Sequence, residues 1–304
     1  MIQNRNDLSI SKKKVLFIGN GINNLNNEKS WDNLVAELRK RVGKKNDAKD
    51  LIKQFPMVFE NLLNYGILNR RITNENDLKN IVAEKVTEIQ PNQIHDRITR
   101  INPEHIITTN YDFVLEKGFT ISKISLIDEK RFSVFRKFSA DGRYFWHVHG
   151  DCSNPKTINL GFEHYSGQLQ YLRNYVVSGT QYKSNKVPKE PLSKRLKSLA
   201  ENPIYNDTIY SWVDLMFTEE VHIIGLCLDF IEIDLWWLLT YRAKLKGQKG
   251  MKINNKIYYY IPTEFCEQSE GKIEVLNNVG IEVIKINKSK YEFYNSVFDK
   301  IEGM

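Results

Sequence analysis

Four apolar residues in a row, Val15-Leu16-Phe17-Ile18, run directly into Gly19-Asn20-Gly21-Ile22-Asn23. An unbroken apolar run of this length, rather than an alternating one, fits a strand covered on both faces, as an inner strand of a parallel sheet is. The chain then turns toward a helix: Trp31, Leu34, Val35 and Leu38 recur at three-and-four spacing behind Ser30, a suitable N-cap. The same grammar returns downstream. Ile106-Ile107-Thr108-Thr109 closes on Asn110, Tyr144-Phe145-Trp146-His147-Val148 on His149 and Gly150, and Val221-His222-Ile223-Ile224 on Gly225. Further strands are expected at 256–261 and 282–286, with the helical pattern Leu235, Leu238, Leu239 between. Strands that alternate with helices and end in glycine or a polar residue predict an α/β fold, a doubly wound, mainly parallel Rossmann-like sheet with helical insertions.

Two stretches depart from that alternation. Residues 47–100 hold no comparable strand, but carry helical spacing in Val58, Leu62, Leu63 and in Leu78, Ile81, Val82, Val86. They are expected to form a helical insertion between 10–46 and 101–304, the two parts of one core. A second insertion, about 163–215, contains a Lys-, Ser- and Pro-rich run at 178–191 that reads as a mobile loop.

Bulk properties exclude several classes of function. The net charge of +7 is scattered in short pieces such as 12–14 and 44–45, so a dedicated nucleic-acid surface is not expected. Three separated cysteines, Cys152, Cys227 and Cys266, build neither a disulfide framework nor a zinc knuckle, and the expected setting is a reducing cytoplasm. The run 15–18 is too short for a signal peptide, and the most apolar stretch, 223–239, carries Asp229, Glu232 and Asp234, which argues against a membrane span.

In doubly wound sheets, ligands bind beyond the carboxyl ends of the strands. That rule gathers four segments into one candidate site. At Gly19 and Gly21 the glycines and free amides at a helix start suit a pyrophosphate; a tight strand-to-helix turn is the alternative, since the third glycine of the dinucleotide fingerprint is absent. In Thr108-Thr109-Asn110-Tyr111-Asp112, the Asn110 carboxamide suits a water or ribose hydroxyl and Asp112 suits a ribose contact, although both also suit a self-bonded Asx turn. In His147-Val148-His149-Gly150, two imidazoles on one strand face would suit a metal, but no third ligand is evident. His149, at the strand end, is the better general base, with His147 as packing or support. In Gly225-Leu226-Cys227-Leu228-Asp229, Gly225 permits close approach of a sugar or phosphate, Cys227 reads as a small buried hydrophobe, and Asp234 serves the start of the next helix. Trp236 and Trp237 read as core or interface.

The order of these segments, a glycine-rich first turn, TTNYD, HVHG and a strand ending in GLCLD, resembles the sirtuin superfamily, in particular its bacterial sirtuin-like branch of phage-defence proteins. The resemblance covers about half the chain and implies an NAD-binding core. It implies catalytic roles for Asn110 and His149 with Asp112 as companion, and cofactor contacts at Gly19, Gly21, Asn23, Gly225 and Cys227, the last standing where the family usually has serine. Deacylases of this family carry four zinc cysteines in paired C-x-x-C spacing, which this chain lacks, so no zinc and no deacylation are expected. The implied activity is NAD hydrolysis to nicotinamide and ADP-ribose by an anti-phage effector. Its restraint would come from a homo-oligomer or a separately encoded regulatory protein. A non-catalytic module that senses NAD or ADP-ribose is the alternative.

Overall fold

The computed structural model describes residues 13–25, 31–45, 54–201 and 209–304. The Ser30 cap, residues 10–12 and most of the expected domain boundary near 47 lie outside these, as do residues 202–208 of the second helical stretch. Among the described residues, eight strands form one sheet: β1 (Lys14–Ile18), β2 (His105–Thr108), β3 (Ser122–Ile124), β4 (Lys137–Ala140), β5 (Arg143–His147), β6 (Glu220–Ile224), β7 (Ile257–Pro262) and β8 (Glu282–Ile286). Their order is β3-β4-β5-β2-β1-β6-β7-β8. The six from β5 to β8 in that order are parallel, whereas β4 runs antiparallel to both β5 and β3. The expected doubly wound, mainly parallel sheet is therefore present, with strand ends shifted by one residue at β2 and β5. The antiparallel β3 and β4 are additional. They are short edge strands: only Phe138 and Ala140 point into the core, so their two-residue period is too brief to stand out.

Among the described residues, ten α-helices surround the sheet: α1 (Trp31–Val42), α2 (Phe55–Leu68), α3 (Glu75–Thr87), α4 (Gln93–Ile101), α5 (Phe162–Arg173), α6 (Leu192–Glu201), α7 (Trp212–Thr218), α8 (Ile233–Lys246), α9 (Glu270–Asn278) and α10 (Lys290–Glu302). The unbroken apolar runs follow from this covering. Val15 and Phe17 of β1 pack with Trp146, Trp212 and Leu235 on the face of α5–α9, while Leu16 and Ile18 pack with Ile98 and Phe298 on the face of α4 and α10. A third cluster, with Leu38, Phe59, Leu62 and Val82, joins α1, α2 and α3 to Tyr111, Ile158 and Leu160. It sets those helices against the loops that leave β2 and β5. Beyond a π-helical turn that ends at Ser178, residues 179–191 form no helix or strand, but Thr180 closes the neck: its N–H and its hydroxyl both donate to the Pro188 carbonyl.

β1 lies centrally; from it the chain proceeds to β2 and β5 on one side and returns as β6 on the other. The strand order thus reverses at β1, and the loops after β1, β2, β5 and β6 meet at the switch point where such sheets place ligands.

Candidate active site

The turn after β1 packs backbone to backbone on the loop after β6. Gly19 N–H donates to Ile224 O at 2.9 Å and Gly21 N–H to Gly225 O at 2.8 Å. A Cβ at Gly19 would lie 2.4 Å from Gly225 O and 2.5 Å from Leu226 Cα, so no larger residue fits without moving backbone. The sequence reading assigned free amides to this turn; in the structure both glycine amides are already engaged, and the glycines are required by close packing. Asn20 is the residue of this turn that reaches the neighbouring cavity.

Asn23 is a buried connector. Its Nδ2 donates to Asp112 Oδ2 at 3.0 Å and to Asn20 Oδ1 at 2.9 Å, and its Oδ1 lies 3.0 Å from His95 Nε2. His95 Nδ1 accepts the Asn92 N–H, so Nε2 carries the proton toward Asn23. Burial pushes His95 down to about 4, which keeps it neutral in this role. Asp112 also takes the Val114 N–H on Oδ1, which ties down the loop after β2. Burial nonetheless raises its carboxyl above the ordinary range.

A cavity of about 380 Å³ opens at the switch point, within the range of small-molecule sites. Asn110, Asp112 and His149 all line it, whereas Gly19, Gly21, Asn23, Gly225 and Cys227 do not. Asn110 is 4% exposed, and among the described residues neither atom of its carboxamide has a hydrogen-bond partner. Its backbone is held from both ends: the N–H donates to Thr108 Oγ1, and the carbonyl accepts from His147 Nδ1. The side chain is thus aimed without being spent. His149 Nε2 lies 3.0 Å from Oδ2 of Asp234, in the first turn of α8. Burial opposes the imidazolium, but the Asp234 carboxylate outweighs it and raises His149 above its ordinary value. The ring also meets Tyr165 of α5 edge-on at 5.2 Å.

His147 and His149 share no protein partner. His147 is buried between Phe113 and Phe138, with Nε2 2.7 Å from Glu116 Oε1. Burial opposes its charge, yet Glu116 lifts it to about 9. Because the folded value exceeds the unfolded value of about 6.5, this pair stabilises the fold fully below pH 6.5 and loses its contribution as pH rises through 9. The difference in unfolding free energy between wild type and His147→Gln should therefore shrink by on the order of 3 kcal/mol from pH 6 to pH 9.5, as urea denaturation at the two pH values would measure. A constant difference would exclude the charged pair.

Cys227 is exposed, contrary to the reading of it as a small buried hydrophobe. Beyond β6 the inward positions fall to Leu226 and Leu228, which turns the residue between them outward. Trp236 and Trp237 are partly buried against the core, and Trp237 stacks on Tyr241 at 4.8 Å. Sequence reasoning missed Glu232 and Tyr165, which line the cavity, and the Asp234 contact to His149. The pair Glu232 and Asp234 just after GLCLD was the available signal. Asp234 read as serving the α8 start and Glu232 only as a charge against a membrane span, because nothing local shows that His149 lies opposite. Among the described residues, no three His, Cys, Asp or Glu side chains are grouped to hold a metal ion, and no helix is long and apolar enough to cross a membrane.

Comparison with known proteins bears on the same segments. Residues 104–205 match the family model of the SIR2-like domain. The chain is also 30% identical over 149 residues to Defense-associated sirtuin 2 of Bacillus subtilis, a stretch that covers 46% of this chain and 13% of that relative. The matched segment contains the loops after β2 and β5, hence Asn110, Asp112 and His149, and it contributes β2 to β5 of the mostly parallel sheet beside the cavity at its switch point. Over residues 104–205 this chain is similar to the SIR2-like domain, and the matched stretch spans about an eighth of the length of the curated relative.

Proposed function

We propose that this protein hydrolyses NAD at the nicotinamide–ribose bond, releasing nicotinamide and ADP-ribose. The observation that carries the reading is the Asn110 carboxamide, buried and unpartnered at both atoms on the cavity that His149 also lines. A buried polar group left unsatisfied costs about 1–3 kcal/mol, and a ribose hydroxyl or an attacking water supplies the donor and acceptor it lacks. Asn110 holds that water or the ribose diol. His149, with Nε2 held by Asp234, takes the water's proton on Nδ1. Asp112 fixes the loop that presents Asn110. The turn 19–23 and the loop after β6 shape the nucleotide end, with Gly19, Gly21 and Gly225 keeping the two backbones close, Asn23 bracing the turn, and Cys227 on the outer face.

Unrestrained cleavage would exhaust a host's NAD, and the relative's name refers to defence. We therefore assign the chain to a cytoplasmic anti-phage effector held in check by self-association or by a separately encoded regulator, with NAD as substrate and without zinc. Chromatography of nicotinamide and ADP-ribose after incubation with NAD, with and without neighbouring gene products, tests this; absence of release under every condition would remove the assignment.

The His149–Asp234 pair adds a pH signature. With His149 raised by Asp234, the basic form needed for proton acceptance accumulates only above pH 6.5. The acidic limb of kcat/KM should therefore have its midpoint above 6.5, and Asp234→Asn should move it downward while lowering kcat, as initial rates between pH 5 and 9 would record. An unchanged midpoint would exclude Asp234 as the partner that tunes the base.

A further inference from the structure

Glu232 belongs to no motif that suggested the site, yet it is 8% exposed and lines the same cavity as Asn110 and His149. It sits at the N-cap of α8, and Oε2 accepts the Asp229 N–H at 3.1 Å. Oε1 has no hydrogen-bond partner among the described residues. A glutamate with one oxygen anchored and the other left for a ligand has a fixed place and a free face. The lining is otherwise acid-rich: Glu37, Glu88 and Asp112 stand with Glu232 against Lys85, and Lys85 is paired to Glu88 at 3.0 Å. Such a wall attracts a cation.

Resting on the NAD-hydrolysis reading, we propose that Glu232 is the anionic group that faces the nicotinamide riboside end of the substrate and stabilises the positive charge as the glycosidic bond breaks. The cationic pyridinium leaves with the bonding electron pair as neutral nicotinamide, and the charge passes to the ribose C1′ as an oxocarbenium ion. Water oxygen bonds to C1′ and its proton goes to His149. Glu232 forms no bond; its carboxylate lowers the energy of the cation, as carboxylates do in glycoside cleavage. The same charge favours oxidised NAD+, with its cationic ring, over NADH, whose ring is neutral.

The surroundings of Glu232 give the role a pH dependence. His149, Tyr111 and Tyr165 face it across the cavity, Asp229 and Asp234 flank it along the chain, and Tyr259 and Cys227 lie nearby. Burial raises its carboxyl to about 7; His149 opposes the rise, and Asp234 and Asp229 add to it. Both Glu232 and His149 must then lose a proton before turnover.

The experiment pairs Glu232→Gln with wild type in three measurements: calorimetric binding of NAD+ and of NADH, nicotinamide release, and the pH profile of release. Wild type should prefer NAD+ by about tenfold, equivalent to the interaction of one charge pair, and Glu232→Gln should bind both forms alike. Release should fall on the order of 100-fold or more, with the acidic limb reduced from two ionisations to one and part of the rate restored in Glu232→Asp. If Glu232→Gln keeps the NAD+ preference and a rate within threefold of wild type, the assignment of Glu232 is overturned while NAD hydrolysis stands. If wild type binds neither dinucleotide, the hydrolase reading falls and the assignment falls with it.

Discussion

Asn110→Ala and His149→Ala should each reduce nicotinamide release from NAD by roughly 10²–10⁴-fold while the protein keeps its fold. Neither side chain belongs to the hydrophobic core clusters: among the described residues the Asn110 carboxamide has no hydrogen-bond partner, and the His149 ring is hydrogen-bonded to Asp234 at the cavity wall. Removing Asn110 should even leave stability unchanged or slightly higher, because two unsatisfied buried atoms disappear. The two roles should separate in the kinetics. Under the proposed roles, loss of Asn110, which would position water or the ribose diol, acts at every pH, whereas loss of His149 as the base leaves a rate that hydroxide raises at high pH. Rapid-quench assays of nicotinamide, together with circular dichroism of each variant, would measure this. If wild type binds NAD without cleaving it, and the variants change binding alone, the protein is a sensor of the dinucleotide instead.

The largest effect on stability is expected at Gly150, behind the His149 backbone. Its φ is +95°, where a side chain is strained, and an added Cβ would lie 2.2 Å from Thr157 O and 2.4 Å from Thr157 C. Both contacts are with backbone, so neither yields as a side-chain tip would. Gly150→Ala should therefore cost about 3 kcal/mol or more and lower Tm by roughly 5–10 °C. Gly142→Ala is the control: φ is +75°, but nothing lies within 4 Å of the added atom. That variant should lose only the conformational term, about 1–2 kcal/mol. Equal losses at the two positions would show that crowding against 157 contributes nothing. Because residue 150 follows His149 directly, the rate of NAD cleavage should fall in Gly150→Ala even at temperatures where the variant is folded.

Much of the architecture is legible in the chain because it arises from local rules. Strands covered on both faces need unbroken apolar runs, and β1, β6 and β7 carry them or close variants near the expected places. The short antiparallel edge of β3 and β4 escapes, since a half-exposed strand of three or four residues has no pattern distinct from a loop. Within the site, Asn110 and His149 stand out because each lies just beyond a strand end, and strand ends at a switch point converge by topology alone.

What the sequence determined by itself is therefore the layered sheet and the identity of the loops that meet at its carboxyl edge, both consequences of periodicity and of residues that stop strands. Only the tertiary structure decided what those loops do to one another. It engages the Gly19 and Gly21 amides with the loop after β6, joins His149 to Asp234 across 85 positions, binds Asp112 through Asn23 to His95, and brings Glu232 into the cavity. The physical reason is that hydrogen bonds and charge interactions depend on distances of about 3 Å between groups remote in the chain, and no pattern of neighbouring residues encodes such distances.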